Sequence, residues 1–363
     1  MLKPRPGVME ISPYVGGEAS ASGVNRVIRL AANENPLGPS PTAIAAYEAE
    51  KGELHRYPDG GAHALRKAIS AQEGIPADQI VCGAGSDELI SLLVRAYAGV
   101  DDEVLYSAHG FLMYSLAART VGAHPVTAPE ANLTTDVDAF LVRVTPRTRL
   151  VFVANPNNPT GTYLSRTELA RLHAGLPSDV LLVIDAAYAE YCDAADYSNG
   201  AELVARHDNV VMTRTFSKIH GLASLRLGWA YCPPAVADVL HRVRGPFNVG
   251  QAAQAAGVAA INDRAYAEQS KEQNKRIRAW FGEKAAAMGL TVVPSQGNFV
   301  LLRFPDGPQA AERTLVALKS RGILLRAMGG YGLPESLRVT IGTEEEMHIT
   351  ADALQEVLSD GGA

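Results

Sequence analysis

The chain contains little cysteine, few aromatic residues and no cluster of positive charge. It has 3 cysteines among 363 residues, aromatic residues make up 6%, and no run of five or more lysines and arginines occurs. Three widely separated cysteines do not form a disulfide framework, so the sequence predicts a reducing compartment. A net charge of −6 without a basic block argues against nucleic-acid binding.

Long apolar runs and metal-binding spacings are also missing. No stretch approaches about 18 uninterrupted apolar residues, so we expect no membrane-spanning helix. The first residues, "MLKPRPGVMEISPY", contain prolines where a secretory signal peptide has an apolar run. Neither CxxC nor HExxH occurs, and the 9 histidines are scattered, so we expect no metal site. These absences predict a cytoplasmic protein without a nucleic-acid or membrane partner.

The residues that are present predict a large and a small domain. Hydrophobic residues make up 47% of the chain, which is enough for a substantial core. Short apolar runs alternate with helical patterns from residue 62, which is typical of a mostly parallel α/β sheet covered by helices. Beyond residue 245 a long helical stretch, 251–287, leads into a smaller α+β region. We expect an N-terminal arm at 1–40 that contributes to the small domain, a large domain at 41–250, and a linking helix with the small domain at 251–363.

Residues able to do chemistry follow four of the predicted strands. They are Gly83–Ser86, Asn158, Asp185 and Thr215–Lys218. In open parallel sheets, ligands bind outside the carboxyl ends of the strands. We therefore expect these four turns to meet at one crevice.

The turn "CGAGSDE" after the first of these strands has three interpretations. Backbone N–H groups at a helix N-terminus bind phosphate, so the turn could form a phosphate site. It could equally be an ordinary strand–helix turn with Ser86 or Asp87 as the cap. Gly83 and Gly85 also match half of a dinucleotide-binding fingerprint, although Glu88 occupies the third glycine position. The glycine pair alone does not decide among them.

Two further strand ends carry side chains suited to a nitrogen-containing ring. Asp185 follows five apolar residues, and a desolvated carboxylate needs a partner. That partner is either the backbone N–H groups that Asp185 caps or a protonated ring nitrogen, which makes a pyridine an electron sink. Asn158, held between prolines, could donate its amide to a ring oxygen or only stiffen its loop. Tyr188 could reach the same oxygen or only pack in the core.

The stretch "TFSKIHGLASLRLG" places a lysine among small and hydroxyl-bearing residues. Lys218 must lose a proton to attack an aldehyde, and burial near other cations lowers the pKa of a lysine. Arg226 is such a cation and could bind a phosphate together with Thr215 and Ser217. A solvated loop lysine would leave this clustering unexplained. The stretch predicts a lysine that bonds covalently to a phosphorylated cofactor with an aldehyde.

Taken in order, these motifs resemble those of the fold-type I, class I/II aminotransferases, which depend on pyridoxal 5′-phosphate (PLP). Within that family they are most similar to the histidinol-phosphate aminotransferase subgroup. Matching segments run along the whole chain and include "LAANENPLGPSP", "HRYPDG", "GAGSDELI", "NPNNPTG", "DAAYAEY", "RTFSKIHGLASLRLGW", "RGPFNV", "NFVLL" and "LRVTIGT". The resemblance implies the α/β fold-type I architecture, a large mostly parallel sheet covered by helices plus a smaller α+β domain. It also implies transamination between L-histidinol phosphate and 2-oxoglutarate in histidine biosynthesis, giving imidazole acetol phosphate and glutamate.

The resemblance assigns cofactor roles to single residues. Lys218 would bond to the cofactor and move the proton, and Asp185 would pair with the pyridine nitrogen. Asn158 and Tyr188 would contact the ring oxygen, and Phe111 would stack on the ring where the family often has tyrosine. The residues implied to hold the phosphate are Ala84, Gly85, Ser86, Thr215, Ser217 and Arg226.

Substrate and partner roles follow from the same resemblance. Arg338 would clamp a carboxylate, because its planar fork matches one. The far end of the substrate would be contacted by Arg326 and Tyr14, and Asn33 is also placed at the substrate. Tyr57 would reach the phosphate of a neighbouring subunit, which implies a homodimer with shared active sites. Relatives commonly have glutamate at the position of Ala186, and we expect this change to spare the chemistry.

Other functions stay open at this point. The nearest is transamination of the aromatic amino acids Tyr and Phe, and the next is a phospho-amino-acid decarboxylase of the same fold. An NAD-linked oxidoreductase depends only on Gly83 and Gly85, and a PLP-binding regulator without enzymatic activity is a further possibility. A yellow protein would favour PLP, whereas a colourless one that binds NADH would favour the oxidoreductase.

Overall fold

A computed structural model describes residues 2–4, 7–13 and 16–360. The strands of this part of the chain are β1 (Ile28–Arg29), β2 (Ile80–Gly83), β3 (Glu103–Ser107), β4 (His124–Ala128), β5 (Glu130–Ala131), β6 (Thr134–Thr135), β7 (Thr148–Ala154), β8 (Leu181–Asp185), β9 (Val210–Thr215), β10 (Gly228–Tyr231), β11 (Thr291–Val293), β12 (Phe299–Arg303), β13 (Ile323–Leu324), β14 (Arg326–Ala327) and β15 (Ser336–Thr340). The helices are α1 (Pro41–Ala49), α2 (His63–Glu73), α3 (Ser86–Tyr97), α4 (Met113–Val121), α5 (Val137–Arg143), α6 (Arg166–Gly175), α7 (Ala201–Val204), α8 (Pro234–Val243), α9 (Gln251–Asn262), α10 (Arg264–Ala287), α11 (Pro308–Ser320) and α12 (Glu344–Asp360).

The central sheet has seven strands in the order β2-β10-β9-β8-β7-β3-β4. Strand β10 pairs antiparallel with both of its neighbours, and the other pairs are parallel. Strands β3, β8 and β9 are buried at every position, because apolar clusters cover both faces of the sheet. Strands β2, β7, β8 and β9 run in one direction, so their carboxyl ends lie at the same edge. This edge is where the sequence predicted the crevice.

Local sequence signals explain where several helices begin and end. Helix α6 begins after Ser165, whose hydroxyl accepts a hydrogen bond from the Glu168 N–H at 3.2 Å. Helix α2 ends at Gly74, which adopts the left-handed conformation with φ 68°. Helix α3 begins at Ser86 immediately after Gly85, which has φ 91°. The start of α3 therefore places the Gly83–Ser86 turn directly after β2.

A smaller antiparallel sheet lies beyond the large one in the chain. Its strand order is β11-β12-β15-β14, and α10, α11 and α12 supply helical residues to its apolar core. The N-terminal segment completes this unit, because Ile28 and Leu30 belong to the same core and β1 pairs with β13. Residues 28–30 therefore pack and pair with segments of the small unit that lie far away in the sequence.

The long helical stretch expected at 251–287 is interrupted. Asp263 separates α9 from α10, and its carboxylate caps α10 by accepting from the Tyr266 N–H at 3.2 Å. Helix α9 packs on α1 and α2 and belongs to the core of the large sheet, whereas α10 contributes to the small core. We propose that the division between the two units lies at Asp263 rather than at residue 251.

Within the described ranges, every helix is too short or too polar to cross a membrane.

Candidate active site

A cavity of ≈ 380 Å³ lies at the carboxyl edge of the large sheet, where the small unit faces it. Its volume falls within the range of small-molecule sites. Asn158, Asp185, Lys218 and Arg226 line it from the large sheet, and Arg338 lines it from β15. The four turns that the sequence singled out therefore meet at one crevice, as predicted.

Asp185 ends β8 and lies at the floor of the cavity with 4% of its surface exposed. Its carboxylate accepts hydrogen bonds from the Tyr114 hydroxyl at 2.8 Å and from the Thr213 hydroxyl at 3.2 Å. Burial raises the pKa of Asp185, while these donors and the Ala187 N–H lower it. A buried acid in this position can form a strong pair with a cationic ligand group.

Lys218 follows β9 and lies half-buried against the cavity wall. Its amine donates to the Ala32 carbonyl at 3.3 Å and lies 5.7 Å from the centre of the Tyr188 ring. Burial lowers the pKa of Lys218 to about 8, and the Arg338 and Arg226 charges act in the same direction. A fraction of this amine is therefore unprotonated near neutral pH, which both nucleophilic attack and proton transfer require.

Arg226 and hydroxyl groups form a corner of the cavity suited to a phosphate. Ser86, Thr215 and Ser217 line the cavity here, and the Arg226 guanidinium donates to the Ser217 hydroxyl at 3.3 Å. The same guanidinium donates to the Asp87 carboxylate at 2.7 Å. A phosphate in this corner would meet a cation, hydroxyl donors and the first turn of α3.

Gly85 is required where this corner meets α3. Its φ is 91°, and a Cβ there would lie 2.4 Å from an Arg226 nitrogen and 2.2 Å from an Asp87 oxygen. The N–H groups of Gly85 and Ala84 donate within the protein, to the Gly83 carbonyl at 2.8 Å and to the Glu88 carboxylate at 2.5 Å. The phosphate roles of Ala84 and Gly85 stay predictions.

Arg338 joins the small unit to the large sheet. Its guanidinium donates to the amide oxygen of Asn158 and to the Ala31 carbonyl at 2.9 Å. Because the Asn158 oxygen is used in this way, its NH₂ group is the end that can donate into the cavity. Arg326 also lines the cavity, and it lies directly opposite Arg338 in the β14–β15 register. The two arginines together can bind an anion.

Tyr188 and Asn33 contact each other at the cavity. The Asn33 side-chain NH₂ donates to the Tyr188 hydroxyl at 2.8 Å, and the Asn33 side-chain oxygen Oδ1 accepts from the Thr340 hydroxyl at 3.0 Å. Asn33 has φ 56° and is almost fully buried. Its amide therefore orients Tyr188, and the substrate contact predicted for Asn33 stays a prediction.

The other predicted residues differ in where the structure places them. Phe111 lines the cavity. Tyr57 is not among the described residues that line it, and its side chain is 83% exposed. Ala186 is fully buried in the large core. Tyr14 lies outside the described residues.

Three residues in contact with the site were missed by the sequence analysis. Tyr114 and Thr213 both donate to Asp185, and Asn35 donates to the Ile219 carbonyl at 2.8 Å, which braces the segment after Lys218. Thr213 had a weak signal, because a threonine interrupts an apolar strand. Tyr114 had none, since it lies 71 residues from Asp185 in the chain.

Comparisons with known proteins identify the family of this chain. The family model described as aminotransferase class I and II matches residues 25–354. The histidinol-phosphate aminotransferase of Paramagnetospirillum magneticum is 60% identical over 354 residues, which are 97% of this chain and 98% of that protein. The enzyme of that name from Rhodospirillum centenum is 60% identical over 355 residues, with 98% of each chain covered.

A solved structure shows the same architecture. The crystal structure of histidinol-phosphate aminotransferase from Sinorhizobium meliloti in complex with pyridoxal 5′-phosphate superposes with a TM-score of 0.91 at 30% identity. The superposition covers 97% of this chain and 97% of the Sinorhizobium meliloti chain. The predicted fold-type I α/β architecture is confirmed by this match. The chain belongs to the family of class I and II aminotransferases.

Proposed function

We propose that this chain is a PLP-dependent aminotransferase that transfers the amino group between L-histidinol phosphate and 2-oxoglutarate, giving imidazole acetol phosphate and glutamate in histidine biosynthesis. The observation that carries the proposal is one cavity in which Lys218, Asp185 and the Arg226 corner all face the ligand space. Full-length relatives named histidinol-phosphate aminotransferase, at 60% identity, support the choice of substrate.

The residues of the cavity fit PLP in charge and in shape. Burial raises the pKa of the Asp185 carboxyl, and a pyridinium would supply a counter-charge for the buried carboxylate. Arg226, Ser217 and the first turn of α3 suit a phosphate dianion, and Gly85 leaves room where a side chain would intrude. Asn158 and Tyr188 offer a donor and a hydroxyl for the ring oxygen. When bound, PLP supplies an electron sink for the charge that develops on the substrate carbon.

Lys218 moves the proton in the proposed reaction. Its pKa of about 8 leaves part of the amine unprotonated at neutral pH, so the nitrogen can take a proton from the substrate carbon and return it. The negative charge of Asp185 at the opposite end of the site would keep the nitrogen of a bound ring protonated. Phe111, on the cavity wall, would hold the ring plane by contact with its face.

Arg338 and Arg326 select the anionic end of each substrate. Glutamate and 2-oxoglutarate offer carboxylates, whereas histidinol phosphate lacks a carboxylate and offers a phosphate. A doubly charged group that enters a partly desolvated pocket needs cations. Arg326 and Arg338 are direct cross-strand neighbours, so their two guanidinium groups can bind a carboxylate or a phosphate in turn.

We propose further that the enzyme is a homodimer in which Tyr57 of each chain completes the site of the other. Tyr57 stacks on Phe247 with ring centroids 4.7 Å apart, and in the single chain Tyr57 is 83% exposed and Phe247 44% exposed. Burial in a partner would remove this exposed apolar pair from water. We also propose a cytoplasmic location, because Cys82, Cys192 and Cys232 are all free thiols.

The test is a spectrum followed by side-by-side kinetics. The purified protein should be yellow with PLP bound, and kcat/KM should be higher for histidinol phosphate than for Tyr or Phe. A preference for Tyr or Phe would instead assign aromatic transamination. A colourless protein that binds NADH would overturn the aminotransferase proposal. Release of carbon dioxide from a phospho-amino acid would indicate the decarboxylase.

A further inference from the structure

Tyr114 contacts Asp185 and is not among the residues assigned above to the cofactor or substrate. Its hydroxyl donates to Asp185 Oδ2 at 2.8 Å, and its side chain is completely buried. It reaches Asp185 from α4, whereas the second hydroxyl donor, Thr213, lies on the adjacent strand β9 and donates to Oδ1 at 3.2 Å. Each carboxylate oxygen therefore has a hydroxyl donor of its own.

Aromatic neighbours fix the direction of the Tyr114 hydroxyl. The ring stacks on Phe152 with centroids 4.6 Å apart and planes inclined by 11°. It also meets Phe111 edge-on at 5.9 Å and Tyr106 at 5.9 Å. Such contacts leave the ring one orientation in a close-packed core, so the bond to Asp185 is preorganised.

The electrostatic effect of this bond has a defined sign. Burial, followed by the Asp185 charge, raises the pKa of Tyr114 well above 10, so the phenol stays a proton donor at working pH. A hydrogen bond to the charged form of an acid favours that form and lowers its pKa. Tyr114 thus opposes the rise in the pKa of Asp185 that burial causes.

We propose that Tyr114 is a positioning residue that acts through Asp185: its hydroxyl keeps the carboxylate ionised, so that the proton of the carboxylate–ring pair stays on the cofactor nitrogen. This inference depends on the PLP cofactor of the proposed function, but not on the identity of the amino donor. Without the hydroxyl, the carboxylate becomes a stronger base than it is in the wild type. The proton then moves toward Asp185, and the ring becomes a weaker electron sink.

Tyr114→Phe tests this with a matched control. The change removes one oxygen and keeps the ring. The control is Tyr106→Phe, which removes a hydroxyl from the same aromatic cluster; the Tyr106 hydroxyl is hydrogen-bonded to Ser115. Each protein is loaded with PLP labelled with ¹⁵N in the ring, because protonated and neutral ring nitrogens give well-separated resonances. Thermal unfolding of both variants and kinetics accompany the spectra.

In Tyr114→Phe we expect the ¹⁵N resonance to move toward the neutral-pyridine position. We expect kcat to fall roughly 10–100-fold, the rate equivalent of one lost hydrogen bond to a charged group, with KM nearly unchanged. Tyr106→Phe should leave both readouts as in the wild type. Thr213→Val, which removes the longer bond, should move the resonance in the same direction by less, and it serves as the test if Tyr114→Phe does not fold.

Three results would overturn the inference. An unchanged ¹⁵N resonance in Tyr114→Phe would mean that the Tyr114 hydroxyl has only a structural role. Equal shifts in Tyr114→Phe and Tyr106→Phe would assign the effect to packing. A wild-type chain that takes up no PLP would overturn this inference and the proposed function together, whereas a loaded wild type with an unaffected variant overturns the inference alone.

Discussion

Replacing Lys218 by methionine should stabilise the cofactor-free protein at neutral pH. Burial and the Arg338 and Arg226 charges lower the pKa of Lys218 from 10.5 to about 8, whereas Glu34 and Asp185 act in the opposite direction. A folded-state pKa below the unfolded one means that the unfolded chain binds more protons between these values. The stability cost is therefore complete below pH 8 and disappears as the pH rises toward 10.5.

The size of the effect follows from these two pKa values. A pKa lowered from 10.5 to about 8 corresponds to roughly 3.4 kcal/mol at pH 7 and roughly 2 kcal/mol at pH 9. Lys218 is half-buried, and methionine loses its hydrogen bond to the Ala32 carbonyl, a contact of about 1 kcal/mol. We expect a net stabilisation of about 2 kcal/mol at pH 7 and less than about 1 kcal/mol at pH 9.

Urea unfolding of both apoproteins, at equal protein concentration and at both pH values, measures this difference. Lys67→Met is the control, because Lys67 is exposed on α2 and its change should alter stability by less than about 0.5 kcal/mol. A Lys218→Met protein that is no more stable than the wild type at pH 7 would refute the reasoning. So would a gain that does not shrink between pH 7 and pH 9.

Three further predictions concern the loaded enzyme. Asp185→Asn should lower kcat at least about 100-fold and by a larger factor than it raises KM, because an amide cannot hold the ring protonated; near-normal kcat in steady-state assays would leave Asp185 as a structural cap. Arg326→Ala should lower kcat/KM for histidinol phosphate roughly 10–100-fold, matching a lost charged hydrogen bond of about 1.5–3 kcal/mol, and lower it much less for Tyr or Phe; equal losses on all three would indicate a general structural role. Tyr57→Ala and Lys218→Ala, each poorly active alone, should regain activity when their subunits are exchanged, because one of the two sites in the mixed dimer is intact; no recovery would mean that Tyr57 does not act across the dimer.

Much of the fold could be predicted from the sequence, because the strands have strong local patterns of apolar residues. Asp185 follows five apolar residues, and Lys218 follows a strand that ends in threonine, so each position could be assigned to a strand end without a structure. Parallel strands of one sheet then bring these ends together at one edge. Resemblance to a family supplied the roles, which position alone left open.

Contacts between distant segments could not be read in this way. The helical pattern continues through 251–287, and only the conformation of Asp263 and the packing of α9 show that two helices are present. Tyr114 looks like any core tyrosine until its hydroxyl is seen at Asp185. The link between Arg338 and Asn158 joins two units whose relative placement depends on the whole fold.

The pairing of β1 with β13 has a consequence for biosynthesis on the ribosome. Ile28 lies opposite Ile323, so β1 cannot pair until nearly 300 further residues have been synthesised. The strands of the large sheet all lie between Ile80 and Tyr231, and α9, which ends at Asn262, completes its core, so the large unit can form first. The apolar side chains of Ile28 and Leu30 stay uncovered during this interval. We expect this delay to make the nascent chain a client of chaperones that bind short apolar segments near the N-terminus.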